Sequence, residues 1–151
     1  MRKYIIALAV VLSFMACNRH SEHWVALCQV ETFIEEQPDS ALVVLQGIDA
    51  GDLSSAEERA KHALLLSMAL DKNFIDKTDF EVLQPAIDYY EDNGTATDKL
   101  RTRFYHGRIY QNQANNALAM ECFVNALSEG SNSEDLKTKA RVYYAQAMIY
   151  R

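Results

Sequence analysis

Residues 101–127 read RTRFYHGRIYQNQANNALAMECFVNAL. Two apolar patterns of helical spacing lie in this stretch, one reaching Tyr110 and the next beginning near Asn116. Gly107 and Tyr110 stand three apart in the first. In the second, Ala119 is followed by Phe123 four residues later and by Ala126 three after that. Small residues let one helix approach another closely, and large ones fill the space between the pair. The stretch predicts a helix–turn–helix unit.

The same unit recurs outward from this stretch. Trp24, Leu64, Phe104 and Tyr144 are each forty residues apart, as are Val30, Leu70, Tyr110 and Tyr150. Ser67, Gly107 and Ala147 share the interval, with Leu27 as the exception among the small residues. Between these helices lie others marked by alanine and a large residue four later: Ala41/Leu45, Ala86/Tyr90 and Ala119/Phe123. The pattern predicts about seven helices, over 22–36, from Pro38 through Ile48, then 56–72, 79–93, 96–112, 116–129 and 134 to the end. Pro38, Gly51, Ser54–Ser55, Gly94 and the run from Gly130 to Ser133 supply the breaks. A period near forty with two helices per unit predicts an all-α solenoid.

Gly107-Arg108-Ile109-Tyr110 with Ala119, Phe123 and Ala126 resembles a tetratricopeptide repeat. The likeness is close over residues 101–127 and looser upstream, where Ser67 and Leu70 replace Gly and Tyr. The resemblance implies antiparallel helix pairs wound into a right-handed superhelix. It also implies that one face of the first helix in each pair lines a concave groove. Pro38-Asp39-Ser40-Ala41-Leu42, taken with the leader described next, is similar to a group of bacterial tetratricopeptide lipoproteins.

The chain opens with basic Arg2 and Lys3, then runs apolar from Ile5 to Ala16 apart from Ser13. Twelve helical residues span about 18 Å, short of a hydrocarbon core of roughly 30 Å. This is the length of a signal peptide rather than of a membrane span. Phe14-Met15-Ala16-Cys17 resembles the lipobox of bacterial lipoproteins, although Phe14 and Met15 depart from its usual residues. The resulting division is a lipoprotein signal peptide over 1–16, a lipidated Cys17 with a tether over 17–21, and a repeat domain over 22–151. The implied location is the bacterial cell envelope, lipid-anchored and facing the periplasm or the surface. Lipidation at Cys17 with two or three acyl chains would hold the protein stably.

The net charge of −6 argues against a general nucleic-acid binder. Residues 18–98 carry five basic against seventeen acidic side chains, and 99–151 carry eight against four. That split predicts either a basic binding face late in the chain or head-to-tail contacts, unless it is chance clustering on solvated faces. No nucleophile elbow, phosphate loop or paired-cysteine motif occurs, so no enzyme, cofactor or metal site is predicted. Cys28 and Cys122 are expected to be buried, apolar in character and apart. His62 and His106 are expected to be packed or surface residues.

The candidate binding residues form two stripes. Arg101, Phe104, Arg108 and Gln111 lie on one helical face, and Arg141, Tyr144, Met148 and Arg151 repeat those intervals forty residues on. By the family resemblance this face lines the groove, where guanidinium groups would grip carboxylates beside aromatic rings. The alternative is that the arginines pair with carboxylates of neighbouring helices and the aromatics are core. The expected function is a membrane-anchored scaffold that binds a protein or peptide, acidic in character. Alternatives are the sensory front of a longer tetratricopeptide regulator and a ligand-capture lipoprotein of nutrient uptake. The apolar last helix leads to a further expectation, of truncation at the C-terminus or self-association through that helix.

Overall fold

The structure is a computed structural model that describes residues 21–151. The expected leader, Cys17 and all of the tether but Ser21 lie outside the described residues. Those described form seven α-helices and one short 3-10 turn, with no strand among them. The helices are α1 (Glu22–Phe33), α2 (Pro38–Gln46), α3 (Ala56–Lys72), α4 (Gln84–Asn93), α5 (Ala96–Asn112), α6 (Asn116–Glu129) and α7 (Leu136–Ile149).

Local chemistry sets the starts. The Ser21, Ser55, Thr95, Asn115 and Asp135 side chains each accept a hydrogen bond from a backbone N–H of the first turn that would otherwise lack a partner. Thr95 and Asp98 close a reciprocal capping box. α2 and α4 have no such cap and begin instead with Pro38 and Pro85 in the first turn, where a missing N–H costs nothing.

Five boundaries differ from the sequence reading, among them the ends of α2, at Gln46 rather than Ile48, and of α7, at Ile149 rather than the last residue. α1 stops at Phe33 and the chain turns through 34–36 before Pro38. α7 begins at Leu136, because Asp135 serves as its cap. α4 begins at Gln84 rather than at residue 79. The Asp79 carboxylate accepts from the Glu81 N–H at 3.1 Å, turning the backbone there. That turn puts the Phe80 ring against His106 and Tyr110, with centroids 5.0 and 5.1 Å apart.

Each even-numbered helix packs against the two odd ones that flank it, and each odd helix also packs against the next odd one. The core follows the chain: Leu27, Leu45, Leu65, Leu83, Leu100, Phe123 and Val142 are all buried. At its tightest point the Phe123 ring lies against Gly107 of α5. A Cβ added at Gly107 would fall 2.5 Å from the Phe123 ring, so only glycine admits this approach.

The forty-residue interval is also present in the backbone. Phe74 and Ala114, after α3 and α5, both adopt φ of 59°. Beyond each, an N–H returns to the helix, from Ile75 to the Leu70 carbonyl at 3.0 Å and from Asn115 to that of Tyr110 at 2.9 Å. The Asn73 side-chain amide donates to the Pro38 carbonyl at 2.9 Å, and that of Gln113 to Thr78 at 2.7 Å. Both pairs span the same distance in sequence. The repeated side chains therefore sit on a repeated turn.

Candidate functional site

The stripes on α5 and α7 meet at an open depression of about 260 Å³. Phe104, Arg108, Gln111, Arg141, Tyr144 and Met148 line it, together with Asp71 and Ala145. Six of the eight residues expected to bind a partner are thus brought together. Arg101 lies outside the depression, and Arg151 is exposed beyond the end of α7.

The arginines are already engaged. Arg141 makes a two-pronged contact with Glu35, Nη1 to Oε1 at 3.1 Å and Nη2 to Oε2 at 2.7 Å. Arg108 Nε donates to Asp71 at 2.9 Å, and its Nη1 to Gln111 at 2.6 Å. Arg101 bridges two carboxylates, donating to Asp135 and to Glu31 at 2.7 Å each. Lys61 joins Glu31, and Lys72 joins Glu35 at 3.0 Å. Of the aromatics, Phe104 is core, 3% exposed and against Tyr105 and Phe123. Tyr144 is 69% exposed.

The acids Glu31, Glu35, Asp71 and Asp135 were not singled out from sequence. They lie 34 to 106 residues from their arginines, and the uneven charge along the chain was their only trace. Burial opposes the charged form of Glu31, Glu35 and Asp135. The hydrogen bonds and positive charges around them outweigh it, and each carboxyl is held below its ordinary value.

His62 is buried with Nε2 2.9 Å from the Leu45 carbonyl. His106 stacks on Tyr110, and its Nδ1 has no hydrogen-bond partner. Burial is the chief reason its pKa falls below the ordinary histidine value. Cys28 and Cys122 are both free, and Cys28 is half-buried rather than buried. Burial pushes the Cys122 thiol up to about 11, which leaves little thiolate at neutral pH. Among the described residues no cluster of metal-ligating side chains occurs, and no helix is long and apolar enough to cross a membrane.

No protein-family profile, curated protein or solved structure matches this chain.

Proposed function

We propose that this chain is a non-enzymatic scaffold, tethered to a membrane of the bacterial envelope through Cys17, that holds a protein or peptide partner on a helical-repeat surface. The helix pairs are read as a tetratricopeptide-like solenoid, with the odd helices on the concave side. Support comes from the odd-to-odd packing and from the turns that repeat at forty residues.

One observation carries the binding reading: the depression between α5 and α7 pairs exposed Tyr144 and Met148 with Arg108 and Arg141. Such a surface suits an extended segment that sets apolar side chains on the tyrosine and methionine. A carboxylate of that segment competes for guanidinium N–H groups that Asp71 and Glu35 do not saturate.

The test is in-cell photocrosslinking from a benzophenone side chain placed at Tyr144, with the same group at Val43 as control. A discrete adduct at Tyr144 alone, lost when Met148→Ala is added, is the expected result. Equal adducts at both positions, or none at Tyr144, would overturn the groove reading. The anchor is tested separately: Cys17→Ser should leave the protein soluble or unprocessed, and wild-type protein found soluble and without lipid would refute it.

A further inference from the structure

On α3, Arg59, His62, Ala63 and Leu66 fall at i, i+3, i+4 and i+7, one face of the helix. They floor a recess of about 170 Å³. Its walls are Leu53, in the turn after α2, and Glu81, Val82 and Pro85, at and just before the start of α4. A shallower trough shares Arg59, Glu81 and Pro85 with it and continues to Asp88.

Forty residues on, Lys99, Thr102 and Arg103 of α5 take the places of Arg59, His62 and Ala63 and line the next recess along. There Arg103 rises from the floor, its guanidinium 3.1 Å from Glu129 of α6 and 3.7 Å from Glu91 of α4. With that side chain in place about 10 Å³ is left, no more than one water needs. Ala63 ends at its Cβ, and the recess on α3 stays open.

The recess on α3 offers acceptors. His62 is 7% exposed, and its Nε2 must carry the proton because it faces the Leu45 carbonyl at 2.9 Å. On the neutral ring Nδ1 is then an acceptor, and no described group donates to it. Arg59 is turned onto the Leu53 carbonyl at 3.0 Å. The two walls, residues 47–57 and 78–89, carry six acidic side chains and no basic one. Of these only Asp79 makes an ion pair among the described residues.

We propose that the recess on α3 receives an arginine side chain from a basic segment of a partner protein, in the place that Arg103 fills on α5. The aliphatic stem packs on Leu53, Leu66, Val82 and Pro85, and the guanidinium donates to Glu81 and to His62 Nδ1. Further basic residues of the segment face the acids of the rim. Arg59 does not bar a second base, because Lys99 lies beside Arg103 in the filled recess. No lining residue belongs to the depression between α5 and α7, so the two sites stand or fall separately.

The probe is a fluorescent heptapeptide of alternating glycine and lysine with arginine at its centre, titrated with the full chain and read by anisotropy. Saturable binding is expected. It should weaken by about tenfold or more when citrulline, which keeps the shape and loses the charge, replaces the arginine. Glu81→Gln should weaken it as much, while Glu134→Gln, the same change before α7, should not. Ala63→Arg should abolish it, by giving α3 the side chain that α5 already has. Glu81 is exposed, so Glu81→Gln decides where Ala63→Arg fails to fold. No saturation at millimolar peptide overturns the proposal, as does equal binding of the citrulline peptide or an equal loss with Glu134→Gln. Competition by N-acetylarginine amide as tight as the peptide itself would make the ligand a small molecule. Much tighter binding on Arg19→Ser would put the chain's own tether in the recess. Either result also overturns it.

Discussion

Phe74 and Ala114 hold a left-handed backbone that side chains with a Cβ resist, at a cost of about 1–2 kcal/mol per residue. Phe74 is 92% exposed, so its ring returns little of that cost by burial. Glycine relieves the strain but adds freedom to the unfolded chain, worth about 0.4–1 kcal/mol in the opposite direction. Phe74→Gly and Ala114→Gly should therefore each stabilise modestly, by roughly 0.5–1 kcal/mol, in chemical denaturation. A loss of stability in both would show that the caps are not strained. Gly107 predicts the reverse. Phe123 is fully buried and cannot swing clear, so Gly107→Leu should overpack the α5–α6 contact by about 1–3 kcal/mol. An unchanged melting temperature would mean that the two helices do not meet at this glycine. Gly107 was legible in the sequence because Ser67 and Ala147 stand forty residues to either side of it, and Tyr110, Ala119 and Phe123 fall at helical spacings after it. The caps were not, since nothing in a phenylalanine or an alanine announces positive φ.

Among the helices, α5 has the strongest local start, with the Thr95 hydroxyl on the Asp98 N–H at 3.2 Å and the Asp98 carboxylate on the Thr95 N–H at 3.0 Å. Thr95→Ala should cost about 1 kcal/mol by equilibrium denaturation, and a cost near zero would show that water replaces the cap. The helices with serine, threonine or asparagine at their starts were readable because the cap is a local signal. α4 was misplaced by five residues because its apolar spacing continues upstream through Phe80 and Val82. There the chain leaves the helix to seat Phe80 on α5. Periodicity records which side chains are buried, and a turn that buries one looks the same as a helix that does. The candidate stripe illustrates the same limit. The spacing placed Arg101, Arg108 and Arg141 on one face of their helices, but not the acids opposite, because those depend on how the helices wind together.

Across the whole molecule the charge split resolves into internal pairing, in which acids at the N-terminal end meet bases of α5 and α7. Glu35, in the turn after α1, is the widest clasp: it holds Lys72 of α3 and Arg141 of α7 at once. Its side chain is only 23% exposed, so solvent screens these contacts incompletely. The folded chain keeps the carboxyls of Glu31 and Glu35 below the ordinary value of 4.5, and that of Asp135 below 3.8. As pH falls, the unfolded chain takes up protons on these groups first. Their contribution is whole above about pH 4.5 and drains away as pH drops toward the lowered folded values. His106 adds a loss at higher pH. Its folded pKa lies below 6.5, so the unfolded chain binds its proton first and stability declines as pH falls through that value. Glu35→Gln keeps the size of the side chain and removes its charge, which should cost about 1–3 kcal/mol at pH 7. The gap between variant and wild type should narrow steadily as pH falls below 4.5, because the wild-type carboxylate is then itself being neutralised. Thermal melts of both proteins from pH 3 to 8 measure this directly. A gap of equal size at every pH would mean that Glu35 acts through packing alone, and that the two ends of the helical array are not held together by charge.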